Sequence, residues 1–164
     1  MLPFLLPLTK RKMRNHALVI LAFGLVLHVS EAGSISRSSV PGPVETSVRM
    51  AFNDNHPERW LRNVSWEHDY REGIYRAHCQ VPNHGKVILE LDKSGRILRE
   101  LKPISAYSLP YKIRQYFKDS LDGVHKIKEA YKVSEGRKEY YEILYKASGK
   151  EKIYRLDDRV RWVD

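Results

Sequence analysis

The 164-residue sequence predicts an α+β fold built as two tandem repeats, each an N-terminal helix packed on a four-stranded antiparallel sheet. Two observations predict it: a helical apolar stripe occurs twice, and each copy is followed by a run of alternating strands. A third is that the copies keep a constant offset of 65 residues. The first stripe is Val44, Val48, Ala51 and Phe52, apolar at the spacing that places residues on one helical face. Pro41 and Pro43 precede it and Pro57 follows, where prolines bound helices. The second stripe is Leu109, Ile113, Tyr116 and Phe117. Pro110 falls in its first turn, where a missing N–H costs nothing, and Ser108 is placed to cap it.

Strand signals follow each helix. In the first copy they cover 64–68, 74–81, 86–92 and 96–101, the last two joined by a turn through Lys93-Ser94-Gly95. In the second they cover 127–133, 139–146, 151–156 and 159–163, with Asp157-Asp158 in the shorter last turn. Alternation assigns Tyr75, Ala77, Cys79 and Val81 to one face, as it does Tyr141, Ile143 and Tyr145. One unit of this length buries too little surface to stand alone comfortably, so the two are expected to share a core. Helices on one face would leave the opposite sheet face to solvent or a partner.

The predicted organisation is a signal peptide over 1–32, a flexible leader over 33–43, one unit over 44–103 and a second over 104–164. Lys10, Arg11, Lys12 and Arg14 precede the apolar run 17–29, and Ser30-Glu31-Ala32 ends in the small-x-small pattern of a cleavage site. The run is shorter than the ~20 residues that a spanning helix needs, so no membrane span is expected after cleavage. Met13 would give a more compact signal than Met1. Periplasmic or secreted localisation follows. The remaining chain would carry 25 basic and 19 acidic residues, a net of +6, with the two signs interleaved. That balance suits solubility and gives no reason to expect nucleic acid.

Several stretches resemble the PepSY-like family whose members are similar to beta-lactamase-inhibitor protein. They are Phe52 with His56-Pro57, Val64-Ser65-Trp66, Gly73-Ile74-Tyr75-Arg76-Ala77, and Leu91-Asp92-Lys93-Ser94-Gly95-Arg96-Ile97-Leu98. Ile104-Ser105 to Leu109-Pro110, Glu129-Ala130-Tyr131-Lys132-Val133 and Glu139-Tyr140-Tyr141-Glu142 continue the pattern over 44–164. Asp157-Asp158-Arg159 departs from the family's usual Asp-x-x-Gly turn, so that hairpin is expected to differ. The resemblance implies an exported protein that binds or inhibits something; a shared scaffold does not name the target.

Catalytic and metal signatures are sparse. His16 and His28 fall in the leader, and His56, His68, His78, His84 and His125 form no His-x-x-x-His or Cys-x-x-Cys arrangement. His68 and Asp69 are adjacent on a strand, which sends them to opposite faces. The single Cys79 lies in an apolar strand, reads as a small buried hydrophobe, and cannot form an internal disulfide. Glu90, Glu100, Glu129, Glu139 and Glu142 read as carboxylates outside apolar stretches. Neither a cofactor, a metal nor an enzymatic activity is expected. Asn63-Val64-Ser65 matches a glycosylation sequon, a triplet that also arises by chance.

A surface remains as the functional candidate. Residues out of phase with the core include Arg76, His78 and Ile88 in the first half, and Tyr140, Leu144, Ile153 and Arg155 in the second. Aromatic and aliphatic anchors mixed with arginine suit a protein interface. The same side chains would also serve to cover a second helix or the sister unit, the more ordinary use of such a pattern. The expected function is a non-catalytic, inhibitor-like module for an envelope or extracellular protein. Alternatives are a stress-related envelope protein that self-associates, as a homodimer for instance, and a small-ligand carrier with a pocket between helix and sheet.

Overall fold

The computed structural model describes residues 32–52, 57–82, 84–121 and 123–163. The predicted signal peptide lies outside the described residues except for Ala32, and His56 lies outside them too. Eight strands follow one another in sequence: β1 (Ala32–Ile35), β2 (Ser65–Asp69), β3 (Ile74–Val81), β4 (Gly85–Leu91), β5 (Ile97–Pro103), β6 (Ile127–Glu135), β7 (Lys138–Ala147) and β8 (Lys150–Leu156). They form one antiparallel sheet in the order β1-β2-β3-β4-β5-β6-β7-β8. Helix α1 (Gly42–Met50) sits between β1 and β2, followed by a single helical turn, α2 (Glu58–Leu61). Helix α3 (Tyr111–Ser120) lies between β5 and β6.

This corrects the expected two repeats of a helix on a four-stranded sheet. The halves merge because β5 pairs with β6 in register, Leu101 opposite Val133 and Lys102 opposite Lys132, leaving no edge between them. Sharing that ladder satisfies backbone groups that two separate sheets would expose. The distribution of strands also differs from expectation. Three residues of the segment read as a flexible leader, with Ala32 from the end of the predicted signal peptide, form β1, paired with β2 from Ala32 opposite Asp69 to Ile35 opposite Trp66. The last predicted strand, 159–163, is a turn plus one isolated bridge between Leu156 and Trp162. The short α2 carries Trp60 and Leu61, each 2% exposed, but four residues are too few to show a helical period.

The helices cover one face of the sheet. Val44 and Val48 of α1 pack with Trp66, Ala77, Cys79, Val87, Leu89 and Leu91. Ile113 and Phe117 of α3 pack with Ala130, Ile143, Tyr145, Tyr154 and Leu156. These are the strand residues that alternation assigns to a single face.

The turn between β4 and β5 is docked on α1. A Cβ on Gly95, whose φ is +86°, would lie 2.5 Å from the Pro43 carbonyl oxygen, so only glycine fits there. Asp92 organises the turn: its Oδ1 accepts from the backbone N–H of Ser94 and Arg96, and its Oδ2 from Arg96 Nε. Asp157 makes the same bonds 65 residues later, to the N–H of Arg159 and Arg161 and to Arg161 Nε. The second hairpin turn therefore matches the first, although its sequence led us to expect a difference. Val160 stands in the glycine's place at φ +65°, a left-handed conformation that a β-branched residue adopts only under constraint.

Candidate functional site: the open face of the sheet

The cross-strand register carries one set of side chains across the face opposite the helices. Arg76 lies opposite Glu90 and His78 opposite Ile88. Glu90 faces Arg99 and Ile88 faces Leu101. Beyond β6, Glu142 lies opposite Arg155 and Leu144 opposite Ile153. All seven sequence-predicted residues (Arg76, His78, Ile88, Tyr140, Leu144, Ile153 and Arg155) share this face. No helix residue belongs to its apolar cluster of Leu101, Val133 and Tyr140, against which Ile88, Tyr131 and Val163 pack.

A ladder of alternating charge runs along the face. Arg76 Nη2 is 3.7 Å from Asp69 Oδ2, and Arg76 Nε donates to Glu90 Oε1 at 2.9 Å. Arg99 Nε donates to the other Glu90 oxygen at 2.7 Å. The Arg99 guanidinium then crosses over β6 to reach β7, where Nη1 donates to Glu142 Oε2 at 2.9 Å. Arg155 Nε donates to that same oxygen at 2.9 Å. Three acids and three arginines thus neutralise one another over β2, β3, β4, β5, β7 and β8. By spanning β6, Arg99 helps shield Val133, which is fully buried on a face without a helical cover.

Burial makes this network stiff. Glu90 is 5% exposed. Burial pushes its carboxyl upward, but the hydrogen bonds and charges of Arg99 and then Arg76 outweigh that and hold it below the usual range. Burial likewise disfavours the Arg99 cation, and Glu90 and Glu142 more than compensate, raising its pKa. The Tyr140 hydroxyl donates to Glu135 Oε2 at 2.8 Å and accepts from Arg99 Nη1 at 3.4 Å. A carboxylate fixed by two guanidinium groups is a poor general acid, so this geometry organises the surface rather than transferring protons.

Not every predicted residue is available to a partner. Tyr140 is 2% exposed and acts as core beneath Arg99, not as a surface anchor. Ile153 is 40% exposed, the Arg155 side chain 46%, and Leu144 and Ile88 are half-buried. The contact-ready part of the face therefore centres on β7 and β8. The seven candidates leave out Glu90 and Arg99, the centre of the ladder. Glu90 within Val87-Ile88-Leu89-Glu90-Leu91 was the available signal, because a carboxylate in an apolar run requires a partner.

Other predicted features have separate places. His68 stacks on Tyr75 at 4.2 Å on the helix side, away from the Asp69 carboxylate. Burial pushes the Cys79 thiol up to about 12. Among the described residues, no helix is long and apolar enough to cross a membrane.

An open face on a helix-backed antiparallel meander is the basis for comparison with solved structures. A BLIP-like protein from Bacteroides fragilis superimposes with a TM-score of 0.55 at 13% identity, over 76% of this chain and 84% of that one. The fold is BLIP-like. At this identity the likeness concerns the BLIP-like scaffold alone. No protein-family model and no curated protein matches the chain.

Proposed function

We propose that this chain is an exported, non-catalytic, inhibitor-like module that binds a protein partner through the open face of its sheet. The observation carrying the proposal is the face itself: Ile153, Leu144 and Arg155 lie exposed or half-exposed beside a charge ladder already locked in place. Ordered arginines lose little side-chain freedom on docking, which reduces the entropic cost of association. The BLIP-like scaffold supports the inhibitor-like part of the reading. Export rests on the basic and apolar pattern of residues 1–32, and the PepSY-like part of the resemblance on the sequence motifs quoted above. A buried Cys79 and a doubly paired Glu90 support a non-catalytic role.

The test is quantitative capture from envelope extract with the wild type and with the double variant Ile153→Lys, Arg155→Glu. Both positions are exposed and Glu142 keeps its bond to Arg99, so the variant is expected to fold. Loss of the captured protein supports the proposal. Equal capture by both forms removes the open face from it, and a concentration-dependent homodimer lost in the variant replaces the partner with a second copy.

A further inference from the structure

At one end of the open face the fully paired ladder gives way to a cavity of about 260 Å³. It is lined by Asn63, His78, Gln80, Lys86, Ile88 and Pro103, with the strand backbone behind them. The register builds it: Gln80 lies opposite Lys86, and His78 opposite Ile88. Its chemistry is the reverse of the ladder's. No acidic residue lines it, and the side chains of Lys86, Gln80 and Asn63 have no hydrogen bond or ion pair among the described residues. His78 Nε2 is buried without a hydrogen bond. Glu67 Oε1 lies 3.3 Å from that nitrogen, a charge contact once the imidazole is protonated but not a hydrogen bond in direction. Lys86, Gln80 and Asn63 are exposed, so this end of the face offers a cation and two amides to an incoming group, with Glu67 approaching it only through His78.

Resting on the open-face reading, we propose that this cavity receives the side-chain carboxylate of a glutamate or aspartate from the bound protein. Lys86 supplies the charge, and the Asn63 and Gln80 amides supply further donors. Ile88 and Pro103 form an apolar wall for the methylene stem.

The test needs no partner. The isotope-labelled chain is titrated with N-acetyl-glutamate methylamide and with its glutamine isostere, following backbone amide shifts by NMR. The carboxylate compound is expected to shift Gln80, Lys86 and Ile88. Lys86→Gln, at an exposed position that leaves the sheet intact, is expected to weaken binding roughly ten-fold, the scale of one charged hydrogen bond. Three results overturn the proposal: equal shifts from the isostere, shifts elsewhere, or no change on Lys86→Gln. Tighter binding of acetate than of the blocked glutamate also overturns it, pointing to a free small acid. The open-face reading fails separately, when Ile153→Lys, Arg155→Glu leaves capture unchanged.

Discussion

Replacing Glu90 with Gln tests the ladder at its centre. Glu90 accepts from Arg76 Nε and Arg99 Nε with different oxygens, and it is almost entirely buried. Gln keeps one acceptor but turns an NH₂ group toward a guanidinium, leaving donors facing donors. Breaking a buried pair by removing one partner costs about 3–5 kcal/mol. Here Arg76 keeps Asp69 and Arg99 keeps Glu142, so the cost falls at or just below the bottom of that range, about 2–3 kcal/mol. Thermal unfolding should then fall by roughly 8–12 °C for a domain of this size. The pH dependence gives the sign. The folded Glu90 carboxyl titrates below its unfolded value, so its stabilisation is complete above the unfolded value and is lost as pH falls through the folded one. The gap between wild type and variant should therefore be widest near neutrality and close on acidification. Calorimetry over a pH series measures it. Equal stability at neutral pH, or a gap that widens in acid, refutes the ladder as a stabilising unit.

Other consequences follow. Gly95→Ala should cost at least about 2 kcal/mol in denaturant unfolding, because left-handed backbone alone costs ~1–2 kcal/mol and the new Cβ meets the α1 carbonyl. Val160→Gly should stay within about 0.5 kcal/mol of wild type, relief of strain offsetting lost packing and added chain entropy. Tyr140→Phe should lose about 1 kcal/mol through its hydroxyl bonds, whereas Tyr140→Ala should lose about 3–5 kcal/mol and compromise the fold itself. Cys79 should resist iodoacetamide at pH 8 in the native chain and react after unfolding; rapid native labelling would contradict its burial.

Local patterns carried a definite part of this architecture. Period-two alternation separated Ala77, Cys79 and Val81 from Arg76, His78 and Gln80, which fixes the two faces of β3. The same logic placed the seven candidate residues together. Long-range pairing was not legible. Nothing local announces that β5 joins β6 across α3, so one sheet was read as two. β1 was hidden because Ala32-Gly33-Ser34-Ile35 has neither apolar alternation nor β-rich composition. Arg99 meets Glu90 nine residues back and Glu142 43 residues on, separations that no periodicity encodes. Tyr140 was misread because an outward position was equated with exposure, while the arginine above it and the valine beside it bury it.

Side-chain oxidative footprinting of the chain alone and in complex with its captured partner tests the central claim most directly. Binding through the open face predicts protection of Ile153, Leu144 and Ile88, with Met50 on α1 and Tyr111 on α3 as reactive as in the free protein. Protection of Met50 and Tyr111 with Ile153 unchanged would place the partner on the helical side and contradict the account.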